Sequence, residues 1–120
     1  MDSFHKKKQG QLGEDLATKY LLKNEYTIKS KNWRYHPFEI DLIVEKNGVF
    51  VFVEVKLREN NDLMELWETV SKRQQKRIVA AAHEYLLMND IDCESRFDII
   101  GIKVANGKIA VEHYEDAFYA

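Results

Sequence analysis

Three side chains in this sequence have types and spacing that could do chemistry together: Asp41, then after twelve residues Glu54, then Lys56. Two carboxylates held side by side suit a hard divalent cation such as Mg²⁺, which takes oxygen ligands and keeps positions open for waters and a phosphate. A lysine beside them would add positive charge next to the metal position. Whether the three meet depends on the hairpin that carries them. Two apolar-rich runs, Phe38–Val44 and Val49–Lys56, lie either side of Asn47-Gly48, the strongest short signal for a two-residue type I′ turn. Such a turn pairs Lys46 with Val49, so facing residue numbers sum to 95, Asp41 falls opposite Glu54 and Glu39 opposite Lys56. Ile40/Val55, Leu42/Val53 and Val44/Val51 then share the other face, which is the register that one buried face would select. Directly opposed carboxylates have Cβ atoms about 4.5–5.5 Å apart and repel each other, so this register needs a compensating cation.

The elements that must position these residues follow from periodicity. From about Gln9 to Asn24 a helical stripe joins Leu12, Leu16, Ala17, Tyr20 and Leu21, with Gly10 and Gly13 on the same side, where a neighbour could approach closely. Glu14 lies about 20° around that helix from Leu21, at the stripe's edge, where it could reach a site between helix and sheet. Tyr26–Tyr35 reads as a first strand ahead of the hairpin. A long helix over Leu66–Met88 presents Ile78, Ala81, Ala82, Tyr85 and Leu86 for packing. Continuing that face toward the helix start reaches Ser71, Gln74 and Gln75, polar residues that imply a wet site there. Lys72, Arg73, Lys76 and Arg77 project to the other side as a basic surface. Arg96–Val104 and Lys108–Tyr114 flank Asn106-Gly107 and form a second hairpin. The order α-β-β-β-α-β-β makes an α/β domain with a mixed central sheet flanked by helices.

The composition bounds the partners. At 120 residues the chain suits one hydrophobic core, with residues 1–8, including Lys6-Lys7-Lys8, expected as a flexible basic leader and 9–120 as a single domain. With 45% hydrophobic and 32% charged residues it is globular rather than disordered. No apolar run approaches a membrane span and no signal-peptide pattern opens the chain, so no membrane partner and a cytoplasmic location are expected. The single cysteine, Cys93, excludes an internal disulfide, and His5, His36, His83 and His113 lack zinc-ligand spacing. With a net charge of −2, nucleic-acid contact would have to come from local basic clusters on an acidic background.

Asp41…Glu54-Val55-Lys56 has the form of the nuclease motif written PD-(D/E)xK, and the chain resembles the YraN family, described by its likeness to endonucleases. The resemblance is carried by Gly13-Glu14, Asn32-x-Arg34, Glu39-Ile40-Asp41-Leu42-Ile43, Phe52-Val53-Glu54-Val55-Lys56-x-Arg58, Gln75, Arg96-Phe97-Asp98 and Asp116-Ala117-Phe118. Phe38 stands where that family usually has glycine, and Gln74 where many members have lysine. The resemblance implies a restriction-endonuclease-like fold, related in shape to archaeal Holliday-junction resolvases. It implies Mg²⁺ or Mn²⁺ held by Asp41, Glu54 and the backbone carbonyl of Val55, with Glu14 as an outer ligand. Lys56 would orient the attacking water or stabilise phosphorane charge. Nucleic-acid contacts would come from Arg34, Glu39, Arg58, Gln74 and Gln75, and from Lys72 and Lys76 on the basic side of the helix.

Plainer readings stand beside these. Asp41, Glu54 and Lys56 could be a solvated hairpin face with a Glu39–Lys56 ion pair worth a few tenths of a kcal/mol, but Ile43 and Phe52 on the same face argue for burial. The basic run Lys72 to Arg77 is more simply a solvated face, and Ser71, Gln74 and Gln75 could equally cap a helix. Arg96 and Asp98 are better read as a structural pair. Trp33 and Trp67 could stack bases, although core or interface packing is the simpler role. The function expected is a Mg²⁺-dependent nucleic-acid phosphodiesterase, an endonuclease-like hydrolase with DNA favoured over RNA. The alternative is a non-catalytic nucleic-acid-binding or partner-binding module that keeps the nuclease fold, and a third reading is a metal-stabilised structural domain. Homodimerisation, frequent among resolvase-like nucleases, stays open on sequence alone.

Overall fold

Both asparagine-glycine pairs take the left-handed backbone that a type I′ turn demands, with φ of 53° and 79° at Asn47-Gly48 and 51° and 72° at Asn106-Gly107. On these two turns the chain builds its sheet in the computed structural model, which describes residues 3–58 and 64–120, with side chains from residue 10 onward. The elements are α1 (Ser3–Lys23), β1 (Thr27–Tyr35), β2 (Phe38–Lys46), β3 (Val49–Arg58), a 3₁₀ turn (Leu66–Thr69), α2 (Lys72–Met88), β4 (Glu94–Ala105) and β5 (Lys108–Phe118). The five strands form one mixed sheet in the order β1-β2-β3-β4-β5. Only β3 and β4 run parallel, and the 3₁₀ turn and α2 supply the crossover that a parallel pair requires. The α-β-β-β-α-β-β order and the mixed sheet agree with the sequence reading and are consistent with a restriction-endonuclease-like fold. Among the described residues no helix is long and apolar enough to cross a membrane.

The two helices cover opposite faces of the sheet. On one, Ile78, Ala81, Ala82 and Tyr85 of α2 pack with Ile43, Phe52, Phe97 and Ile99. On the other, Ala17 and Leu21 of α1 pack with Leu42, Val44, Val51, Val53, Ile100 and Ile102. The central strands are therefore covered on both faces, which is why Val49–Val53 reads as a continuous apolar run. At Gly13 α1 comes down onto β3, where an added Cβ would lie 3.6 Å from both Val55 Cγ1 and Leu57 Cβ. That approach sets Glu14 above the end of β3. Gly10, expected to do the same, has open space around it.

The helices differ from expectation at their starts. α1 begins at Ser3, so the backbone of Lys6–Lys8 is helical. The helix expected over Leu66–Met88 is broken, because Ser71 is extended at φ −67° and ψ 161° and its hydroxyl caps α2 by accepting from Gln74 N at 3.1 Å. β4 and β5 both outrun their sequence readings, and β5 continues past a left-handed residue at Asp116 to Phe118.

The strand pair Arg96/Asp98 is structural, as expected, and belongs to a larger network. Asp98 is fully buried and accepts from Arg96 Nε at 2.8 Å and Nη2 at 2.9 Å, and from the Asp116 amide at 3.0 Å. His113 Nε2 lies 2.7 Å from the same carboxylate and His113 Nδ1 lies 2.9 Å from the Tyr20 hydroxyl, while Arg96 Nη2 donates to Tyr26 at 2.8 Å. Burial alone would raise the Asp98 carboxyl, but these donors hold it below the ordinary carboxylate range. The network ties α1 to β4 and β5. Asp98→Ala would strand the Arg96 guanidinium, and urea unfolding should register a loss of about 3–5 kcal/mol; Tyr20→Phe, which deletes one neutral contact, should cost about 1 kcal/mol.

Candidate functional site

The β2–β3 ladder follows the expected register from Lys46/Val49 through Leu42/Val53 and ends there. One level further, the Asp41 carboxylate replaces a backbone acceptor: Asp41 Oδ2 receives the Val55 amide at 2.8 Å. The expected pairs Asp41/Glu54, Ile40/Val55 and Glu39/Lys56 are therefore absent from the ladder. Ile40 packs on the α2 side and Val55 on the α1 side, so the shared face expected for them does not form. The Asp41 bond parts the two strands, and β1 matches the change. Asn32 takes a left-handed φ of 51°, level with Asp41 between the paired Lys31/Leu42 and Trp33/Ile40. One left-handed residue breaks the period-two alternation, and both strands exchange faces at that level. Glu39 then meets Arg34 on β1, with Arg34 Nε 3.3 Å from Glu39 Oε2, instead of Lys56.

Glu54 and Lys56 keep the α2 face that alternation along β3 assigns them. Here the start of α2 closes the site: the Gln74 amide donates to Glu54 Oε2 at 3.1 Å and accepts from Lys56 Nζ at 3.5 Å. Of the polar residues projected at the helix start, Gln74 overlooks the carboxylates, whereas Ser71 caps α2 and Gln75 turns to the Val70 carbonyl. The Glu54 carboxyl is pushed up to about 9, first by burial, then by its hydrogen bond to Asp41 and the Asp41 charge, with Lys56 opposing. Glu14 on α1 is also raised, by burial first and then by Asp41, while a hydrogen bond from Asn32 opposes the shift. Carboxyl groups from α1, β2 and β3 therefore sense one another across the end of the sheet where β2 and β3 part.

Among the described residues no three His, Cys, Asp or Glu side chains gather tightly enough to make a ready cage for a metal. The donors present are all oxygen: Asp41, Glu54, the Val55 carbonyl and, further out, Glu14. That set fits a hard cation such as Mg²⁺, which is commonly held by one or two carboxylates and completed by waters and substrate phosphates. The fit is electrostatic, because a carboxyl raised by desolvation and by its carboxylate neighbour is stabilised either by a proton or by a cation.

The other residues expected at the site fall elsewhere. Arg34 is exposed and paired to Glu39 at the neighbouring strand edge. Arg58 is buried, donating to Glu112 Oε2 at 3.2 Å and to the Met64 carbonyl, so it braces β3 against β5 and the chain beyond it. Gln75 donates to the Val70 carbonyl at 3.2 Å. Lys72 and Lys76 are exposed on α2. Asn32 was visible only as part of a motif, although an asparagine inside a strand pattern is a recognisable sign of left-handed backbone.

The family model for uncharacterised protein family UPF0102 matches residues 13–102. Similar proteins include a UPF0102 protein of Flavobacterium psychrophilum, 40% identical over 110 residues that cover 92% of each chain. One from Bacteroides fragilis is 39% identical over 110 residues, covering 92% of this chain and 91% of its own. Another, from Chlorobium phaeobacteroides, is 38% identical over 115 residues, covering 90% and 91%.

Because the folded state holds the Glu54 carboxyl above its ordinary value, folding takes up a proton between about pH 4.5 and 9, and stability falls as pH rises through that window. Thermal melts of the protein in chelator should move down steadily from pH 5 to pH 9, with a slope of at most about 1.4 kcal/mol per pH unit. Glu54→Gln should flatten the profile. An equally steep profile in that variant would show that the slope belongs to other groups.

Proposed function

This chain belongs to the uncharacterised protein family UPF0102, and from that premise and the pocket geometry we propose a metal-dependent phosphodiesterase acting on nucleic acid, DNA in preference to RNA. It would be of the PD-(D/E)xK type that the YraN resemblance implies. The observation that carries the reading is the Glu54 carboxyl, half-buried against Asp41, raised to about 9 and flanked by Lys56. Strong perturbation by desolvation together with a neighbouring carboxylate, with a cation two residues away, is more characteristic of a reactive site than of a structural ion pair.

Asp41, Glu54 and the Val55 carbonyl would hold Mg²⁺ or Mn²⁺, which when bound lowers the pKa of a water and polarises a phosphoryl oxygen. The chain's own groups do the rest. The Val55 amide fixes one Asp41 oxygen, which leaves the other to face Glu54 and an incoming phosphate. Gln74 holds the Glu54 carboxyl from the α2 side and keeps Lys56 within reach of it. The Lys56 ammonium then orients the attacking water or meets the negative charge that develops on the phosphoryl oxygens. Glu14, held by Asn32, can accept a proton from a water on the α1 side.

A second reading, a nucleic-acid-binding or partner-binding module without turnover, draws on the same bridge. With Glu54 protonated, its bonds to Asp41 and Gln74 leave one negative charge, which Lys56 balances without a metal ion. Cleavage of linear duplex, single-stranded and branched DNA, measured across Mg²⁺ and Mn²⁺ titrations, separates the two. Turnover should require metal, fall to background in Glu54→Ala and drop about 100-fold in Lys56→Ala. Salt-sensitive DNA binding with no metal-dependent turnover favours the binding module, and turnover undiminished in Glu54→Ala sinks the phosphodiesterase.

A further inference from the structure

A second surface lies just past the carboxylate pocket. α2 carries Lys72, Arg73, Lys76 and Arg77 on its exposed flank, and beside it run two adjoining clefts of about 620 and 570 Å³ that share Lys72, Gln75 and Tyr119 in their walls. The wall of the larger cleft also contains Trp67. Trp67 is 54% exposed and Tyr119 77% exposed, far from the mostly buried state usual for large aromatic side chains. Core packing, the simpler role for Trp67, does not apply to it.

Both rings are held outward by buried neighbours in the chain. Leu66, just before Trp67, is fully buried and fills the gap over Gly101, where a Cβ would come within 2.8 Å of Leu66 Cδ1. Val70, at the other end of the 3₁₀ turn, is buried as well, and Thr69 Oγ1 donates to the Leu66 carbonyl at 2.6 Å. Phe118, just before Tyr119, is buried and stacks on Phe97 with centroids 5.2 Å apart. The aromatic faces are thus presented to solvent by an ordered frame, which lowers the entropy lost when a ligand binds.

We infer that this surface binds an unpaired nucleic-acid strand, with Trp67 and Tyr119 stacking its bases and Lys72 and Lys76 meeting its phosphates. The inference deepens the nucleic-acid reading of the carboxylate pocket and rests on it for the ligand class. Aromatic faces beside a cationic groove are the arrangement that holds single strands, because every base has a stacking face and every linkage a negative charge. A duplex hides its base faces, and an apolar peptide has no use for the cations. The acid in the cleft wall, Glu68, is engaged by the Glu65 amide at 3.2 Å. Pocket and cleft are also adjacent: Gln74 bonds Glu54, while the next residue, Gln75, lines the cleft. A strand leaving the carboxylates around the start of α2 would pass onto the aromatic pair, so a substrate with an unpaired arm fits better than uniform duplex.

Fluorescence anisotropy in chelator, where no cleavage can occur, tests this with labelled (dT)15 and a labelled mixed-sequence duplex of the same length. The parent should prefer the single strand. Trp67→Ala and Tyr119→Ala should each weaken (dT)15 binding about 10-fold or more, with Trp67→Phe restoring most of the loss and thermal melts unchanged. Lys72→Ala and Lys76→Ala should each reduce the slope of log affinity against log salt by about 0.7, whereas Lys108→Ala, on the far hairpin, should not. Failure of the parent to bind (dT)15, no preference over duplex, or unchanged affinity in both aromatic variants overturns the inference. Stacking-dependent binding without turnover would overturn only the cleavage reading. Glu54-dependent cleavage with indifferent aromatic variants would overturn only this surface.

Discussion

Where Asp41 accepts the Val55 amide, a side-chain carboxylate stands in for a backbone carbonyl, and the β2–β3 ladder gives way to a cleft. The hydrogen bond of 2.8 Å keeps the amide satisfied, so the strands can part without leaving a buried donor unpaired. Their parting opens the end of the sheet to both helical layers at once. Glu14 approaches from α1 and Gln74 from α2, and neither could share a pocket across an intact ladder. The left-handed turn of β1 at Asn32, level with Asp41, keeps the neighbouring strand in step with the change.

Two carboxyl groups, Asp98 fully buried and Glu54 half-buried, show how environment decides role. Asp98 collects Arg96, His113 and a backbone amide and is held below its ordinary value. Its charge is fully answered, and it acts as a fastener between α1, β4 and β5. Glu54 is half-buried beside another carboxylate with a lysine and an amide for company and is pushed the other way. The first cluster is complete as it stands, whereas the second becomes less comfortable as it ionises. That contrast, more than the presence of acidic residues, directs functional attention to the end of β3 rather than to the interior of β4.

The basic flank of α2 gains meaning in the same way, from what lies beside it. Taken along the helix, Lys72, Arg73, Lys76 and Arg77 are an ordinary solvated run. The 3₁₀ turn and the end of β5, more than forty residues apart in sequence, set two exposed aromatic rings along that flank. The break at Ser71 matters here, since a continuous helix would have carried Trp67 around with it. Because Leu66 is anchored under the turn, Trp67 faces solvent.

Much of the fold is legible in the amino-acid sequence. Two Asn-Gly turns and strict alternation specify two hairpins to the residue, and the polar start of α2 already pointed toward a wet site. Turn chemistry and period-two packing are local, and a run of ten residues contains all the information they need. The sequence by itself therefore determined the β2–β3 and β4–β5 hairpins with their register next to each turn, and that Asp41, Glu54 and Lys56 come to one end of the sheet. Only the tertiary structure decided that the ladder stops at Leu42/Val53, that Ile40 changes face, that Glu39 turns to Arg34 and that Arg58 is consumed in bracing. Each of those depends on which side chain from a distant segment reaches a backbone group or a charge first. That competition is settled by packing the helices onto the sheet, and no local pattern records its outcome.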